Sequence, residues 1–301
     1  MGNSSDIGWS DEQWNRANAT VQEAAQKARI AAQILPTTIY PDVTAVAVPD
    51  RTLDYQMLSK NAPTRRFTVD STPATFFTSL AVNVVLTTQE AADPELGAAR
   101  IQLQRAGNVV SRLEDALIFG GQSATNATPP GATSLQPVFD VSGGGPQPGL
   151  VAIPPSPGAA ASYFPRLEIA LPLKTKKPGN FLAQQIINAV GLLEGQGHNG
   201  PFACVLGQDL FSDLHSPSDS LVLPRDRVAP ILDGPILRSS TIPADHGIVV
   251  ALGSGSMEIV VSSELHVRFL QITTEPRFVL RVSERIALRV SDWTSVLVLH
   301  P

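Results

Sequence analysis

The chain has 301 residues, enough for a sizeable core and, at about 150 residues per domain, for two domains or one elaborated fold, so a mini-protein is excluded. Only 16% of the residues are charged against a usual figure of about 25%, while the hydrophobic fraction of 43% is ordinary. Interface cores are depleted of charge, so this combination points to self-assembly, and a net charge of −5 supplies no basic field for gripping nucleic acid.

Residues Ser10 to about Ile34 read as a helix. Ser10 is placed to cap it with Gln13 three positions on, and Pro36 stops it. Its body is rich in Ala and Gln with few large apolar residues, so it should lie against another surface rather than carry a core.

From Asp42 to Thr88 the texture becomes β, with Leu80, Val82, Val84 and Leu86 alternating as a half-buried strand does. The stretch reads as a long two-stranded excursion, a form that buries little alone and leaves edges open for a neighbouring chain. Asp93-Pro94-Glu95 opens a helix that runs to Gly120-Gly121, about 26 residues or roughly 40 Å, long enough to be a structural spine. Gly97 and Gly107 either weaken it or admit another backbone.

Residues 122–179 hold eleven of the 25 prolines and the Gly143 to Gly145 triplet, and read as a Pro/Gly-rich insertion with a short strand near Leu167 to Leu173. Asn180 then caps a helix ending in the Gly-rich 195–200 stretch, followed by a strand at Phe202 to Leu206 and a short helix at Asp209 to Leu214. The remainder is mostly β: Ile248 to Leu252, Met257 to Val261, Leu265 to Ile272, and a final pair of strands with Ser283-Glu284 as their turn. There Arg277, Arg281, Arg285 and Arg289 alternate with apolar residues.

Cys204 is the single cysteine, which excludes an intrachain disulfide, and its apolar setting is that of a buried, inert thiol. No nucleophile elbow, phosphate loop, dinucleotide fingerprint or zinc-protease motif is present. Gly253-Ser254-Gly255-Ser256 reads as a turn between strands. The five histidines are scattered without metal-ligand spacing and read as surface or turn residues, and the pairs Asp209/Asp213 and Glu114/Asp115 read as solvated carboxylates. No catalytic residue and no metal site is expected. No run approaches 18 apolar residues, so no membrane span is expected, and the polar start at Gly2 to Asp6 lacks a signal-peptide pattern, which makes the cytoplasm the expected compartment.

Several segments taken together resemble the shell proteins of encapsulin nanocompartments. They are Ser10-Asp11-Glu12-Gln13-Trp14, the run Arg112 to Gly121, the run Gly200 to Phe211, and Asp233-Gly234-Pro235-Ile236. The resemblance covers most of the chain in order. It implies an α+β fold of the tailed-phage major capsid type (Hong Kong 97), divided into an interior helix and arm (1–41), an extended loop (42–90), a spine helix (91–121), the insertion (122–179), an axial domain (180–253) and peripheral strands (254–301). It further implies an icosahedral homo-oligomer enclosing a peroxidase or ferritin-like cargo enzyme, with no enzymatic activity of its own.

By the same resemblance a cargo targeting peptide would dock at Ile30, Ile34, Ile39, Leu265 and Val267, and a fivefold pore would be lined by His215, Ser216, Ser218 and Asp219. The plain readings, core residues for the first set and an exposed loop for the second, stand beside these. The run Ser262-Ser263-Glu264-Leu265-His266 departs from the family pattern at the cargo pocket, and the insertion is longer than the family's link. No Trp sits near the end of the extended loop where some members stack a flavin, so no cofactor is expected. The alternatives are a phage or prophage major capsid protein and, from a different class, a soluble hydrolase.

Overall fold

The computed structural model describes residues 7–59, 62–125, 139–145, 147–151, 167–172, 178–217 and 222–301, with side chains described outside 54–67. The N-terminal half runs α1 (Asp11–Ala28), a 3-10 turn (Ala31–Gln33), β1 (Thr37–Ile39), β2 (Ala47–Pro49), β3 (Thr52–Ser59), β4 (Ala62–Asp70), β5 (Ala74–Phe76), β6 (Thr78–Thr87), α2 (Thr88–Ala91), α3 (Gly97–Gly120) and α4 (Gln122–Thr125). Then follow β7 (Phe139–Gly143), β8 (Leu167–Ala170), α5 (Pro178–Gly195), β9 (Phe202–Leu206), α6 (Gln208–His215), α7 (Pro224–Leu232), β10 (Ile236–Arg238), β11 (Gly247–Ala251), β12 (Met257–Ile272), β13 (Arg277–Val290) and β14 (Val296–His300).

Two five-stranded sheets organise these elements, in the orders β1-β12-β13-β6-β7 and β10-β9-β11-β14-β8. The second sheet shows why its strands read as unbroken apolar runs. In β9, Phe202, Cys204 and Leu206 face one core with α5, α6 and α7, while Ala203 and Val205 face the other core, shared with α3 and the first sheet. In β14, Leu297 and Leu299 divide from Val296 and Val298 in the same way. A strand buried on both faces has no polar positions to alternate with.

The spine α3 starts where Asp93 Oδ2 accepts the Gly97 N–H at 2.7 Å, and ends at Gly121, whose φ of 77° favours glycine. Its last carbonyls are met by the chain returning beside it, with Leu150 N–H donating to Ile118 O and Val151 N–H to Phe119 O. The face Leu103, Val110 and Leu117 packs on Leu80, Val82, Val84 and Leu86 of β6 in one core.

Several expectations are corrected. The first helix is shorter than read, because α1 ends at Ala28 and Ala31–Gln33 form a separate 3-10 turn. The excursion is not one hairpin: β2 pairs with β5, β3 pairs with β4, and β6 belongs to the main sheet. The helix expected to begin at Asn180 starts at Pro178. Residues 257–272 form one strand with register shifts rather than two strands. Ser283-Glu284 is not a turn, because β13 runs straight through it: Ser283 pairs with Ala81 and Glu284 with Leu80 of β6. The described parts of the insertion are not merely appended, since β7 and β8 each complete the edge of a sheet.

Candidate functional site

The capping box at the start of α1 is as the sequence indicates: Gln13 N–H donates to Ser10 Oγ and Ser10 N–H to Gln13 Oε1. Small residues let the helix lie close to the spine. A Cβ built on Gly107 of α3 would stand 2.8 Å from the Val21 carbonyl and 3.2 Å from the Ala24 Cβ, so glycine is what permits this approach. On its other flank α1 repairs an irregular stretch of β12. Asn18 Oδ1 accepts the Val267 N–H at 2.8 Å and Gln22 Nε2 donates to Leu265 O at 3.3 Å, within and just past a register shift between Ser263 and His266.

This seam holds the residues expected to dock a peptide. Ile34, Leu265 and Val267 are buried at 6%, 4% and 6% exposure, and Ile30 packs partly buried on the same core. Ile39 stands apart on edge strand β1, paired with Val261 and 63% exposed. Within the chain Ile34, Leu265 and Val267 are therefore core, Ile30 borders it, and of the five only Ile39 presents an open apolar surface.

Where α1 gives way to the 3-10 turn, four charged side chains meet. The Arg29 guanidinium lies 2.5 Å from Glu114 of α3 and also pairs with Glu284 of β13. Asp115 of α3 accepts the backbone N–H groups of Ile30 and Ala31, the latter at 2.8 Å, and so holds the start of the turn. Glu114, Asp115 and Glu284 are 2%, 4% and 2% exposed. The reading of Glu114 and Asp115 as solvated is thus overturned: Leu113 to Phe119 are all buried, so this part of α3 has no solvent-facing side.

Burial raises the pKa of Asp115 to about 7 against the hydrogen bonds from Ala31 and Ile30, and the Glu114 charge adds to the rise. Burial first, then the Glu114 charge, lifts Glu284 well above the carboxylate range, and burial raises Glu114. Burial also works against the Arg29 cation, but Glu284 and Glu114 outweigh it and the net direction is up. One guanidinium therefore faces three carboxyl groups, which favours retention of protons at neutral pH.

On the axial side, His215 ends α6 with its Nδ1 2.8 Å from Phe211 O and its ring 4.1 Å from the Phe211 ring, and Ser216 Oγ donates to Ser212 O. Ser218 and Asp219 lie outside the described residues. His198 is not a surface residue: it is 7% exposed, and its Nε2 is 2.9 Å from Thr294 Oγ1. Because Thr294 Oγ1 already donates to Asp292 Oδ1, the His198 Nε2 carries the proton in this pair. Burial pushes the Cys204 thiol up to about 12, the state of an inert core residue. Gly253 to Ser256 lie between β11 and β12 as expected. Among the described residues, no group of three or more His, Cys, Asp or Glu could hold a metal ion, and no helix is long and apolar enough to cross a membrane.

Residues 165–287, which include most of the second sheet and the long strands of the first, match the family described as encapsulating protein for peroxidase. Over 136 residues the chain is 29% identical to the type 1 encapsulin shell protein EncA of Myxococcus xanthus. Over these segments the chain is similar to encapsulin shell proteins.

The alignment covers 45% of this chain and 46% of EncA, so it spans about half the length of that curated relative. The fold of the chain is that of Hong Kong 97-type capsid proteins. It resembles the virus-like particle protein of Pyrococcus furiosus at a TM-score of 0.61 and 12% identity, covering 96% of this chain and 100% of that one. The capsid of an empty GTA particle matches at 0.56 and 16% identity over 89% and 88% of the two chains. The SrpI encapsulin complex of Synechococcus elongatus matches at 0.51 and 11% identity over 90% and 86%.

Proposed function

We propose that the chain is a shell-forming structural protein that assembles with copies of itself into a closed icosahedral compartment and encloses a cargo enzyme, without catalysing a reaction itself. The observation that carries this reading is the coincidence, in one chain, of a capsid fold over nearly its whole length with the encapsulin family match at 165–287. The shortage of charge and the exposed apolar residues Ile39, Val43, Val46 and Phe76 near β1, β2 and β5 fit surface reserved for neighbouring subunits. Closed point-group assembly would use on the order of 60 copies or a multiple.

In this reading the segments 1–41, 42–90, 91–121, 122–179, 180–253 and 254–301 are the interior arm, extended loop, spine, insertion, axial domain and peripheral strands. Cargo, a peroxidase or a ferritin-like enzyme, docks through a targeting peptide at Ile30, Ile34, Ile39, Leu265 and Val267. Since Leu265 and Val267 lie under α1, the peptide has to exchange with the Asn18 and Gln22 contacts to reach them. The pore is assigned to His215, Ser216, Ser218 and Asp219, and the compartment is cytoplasmic.

Sedimentation of the purified chain tests the assembly. Megadalton particles of one size are expected, and a small discrete oligomer rules the shell out. A second reading, a phage or prophage major capsid protein, is favoured by one observation: the GTA capsid matches the fold more closely than the SrpI complex does. Particles that carry nucleic acid would select it.

A further inference from the structure

Arg29, Glu114, Asp115 and Glu284 come from three separate elements, the end of α1, the last third of α3 and the centre of β13, and they meet at the point where the chain leaves α1 for the arm that leads to β1. The cation bridges α1 to both other elements, and Asp115 ties down the first two N–H groups after it. A buried carboxyl cluster costs little while it holds protons, and much once every member is ionised. Three carboxyl groups against one guanidinium cannot all be charged without leaving net negative charge inside the core.

The other groups around the cluster do not correct this. On α1, Lys27 is exposed and makes no ion pair among the described residues. On α3, Arg112 is exposed and Ser111 is uncharged, with its hydroxyl committed to the Gly107 carbonyl at 2.9 Å. On β13, Arg281 is engaged with Asn83 and Asp140, and Arg285 with the Val43 carbonyl and the Phe77 ring. On β6, the residue paired with Glu284 is Leu80. On β12, Glu264 is exposed and the His266 ring is bonded to the Glu264 carbonyl. Neither 3-10 turn nor β1 contributes a charge, since Ala31 to Ile39 contain none.

We propose that these four residues form a proton-dependent latch, which fastens the end of α1 and the following arm to the spine and sheet while protons are held and loosens them as the protons leave. Raising the pH removes protons from the Glu114, Asp115 and Glu284 carboxyl groups, and the carboxylates then repel across the α3–β13 contact with one cation among them. The least costly relief is for Arg29 and the 3-10 turn to move outward and admit water, because α3 and β13 are each fixed along their length by the core. The latch lies within a single chain, so it stands independently of the shell reading.

Hydrogen exchange of the full chain, read by mass spectrometry on the peptide spanning 17–35 and corrected for the intrinsic pH dependence of amide exchange, tests it. Protection of this segment should fall about tenfold or more between about pH 6 and pH 8.5, relative to the α5 segment, as expected when opening is coupled to loss of at least one proton. Glu284→Gln, which keeps the shape and removes one ionisable group, should abolish most of that fall. Arg29→Gln should lower protection already at about pH 6. Equal corrected protection at both pH values in the unmodified chain, or an unchanged fall in Glu284→Gln, would overturn the latch. If Glu284→Gln does not fold, Glu114→Gln carries the same test with the same outcomes.

Discussion

Asn18 Oδ1 accepts the backbone N–H of Val267 at 2.8 Å, joining residues 249 apart in sequence on the edge of β12 that β1 leaves unpaired beyond Val261. The contact explains why a helix with so little large apolar surface is held in one place: its polar side chains complete the hydrogen bonding of a strand that the sheet alone leaves unsatisfied.

Replacing Asn18 by Ala should therefore cost about 1–3 kcal/mol, the penalty of an unmet buried N–H. Thr20→Ala, which removes only an exposed hydroxyl bonded to the Arg16 carbonyl, should be close to neutral. Urea unfolding of the two variants separates these outcomes.

Gly107 and Gly191 are both glycines inside helices, and they should respond in opposite directions. Gly107→Ala places a methyl against the Val21 backbone and should destabilise by about 1–3 kcal/mol despite its better helix propensity. A Cβ on Gly191 meets nothing within 4 Å, so Gly191→Ala should stabilise by about 0.5–1 kcal/mol. Thermal melts of both variants check the contrast.

The cap at the start of α1 and the doubly buried strands were legible because local chemistry decides them: Ser10 with Gln13, and the unbroken apolar run Phe202 to Leu206. Glu284 was misread as a turn residue because a polar pair inside a strand looks like a break when its partners, Arg29 and Glu114, are far away in sequence. The same distance hid Asp115. The readable signal was the setting of Glu114-Asp115 between Leu113 and the run Ala116 to Phe119, which leaves no solvent-facing side for a charge. α7 and β10 were missed for another reason: short elements carry too little pattern to outweigh the Pro and Gly around them.

Asp115 gives a pH dependence with a definite sign. Its folded pKa of about 7 lies above its ordinary value of 3.8, so its contribution to stability is full below the lower value and declines as pH rises through the upper one. Unfolding midpoints in urea should fall over that window, and Asp115→Asn should flatten the slope. An unchanged slope in the variant would assign the effect to other groups.

Cys204 should be unreactive in the folded chain, since its thiol is fully buried and held to a pKa of about 12. Thiol-specific reagent should label it only after denaturation; rapid labelling of the native protein would show that β9 opens.

Negative-stain electron microscopy of the chain expressed alone, after size exclusion, tests the central claim most directly. Closed shells of uniform diameter, with an absorbance ratio free of nucleic acid, are predicted. A small discrete oligomer with no closed particles would contradict the account.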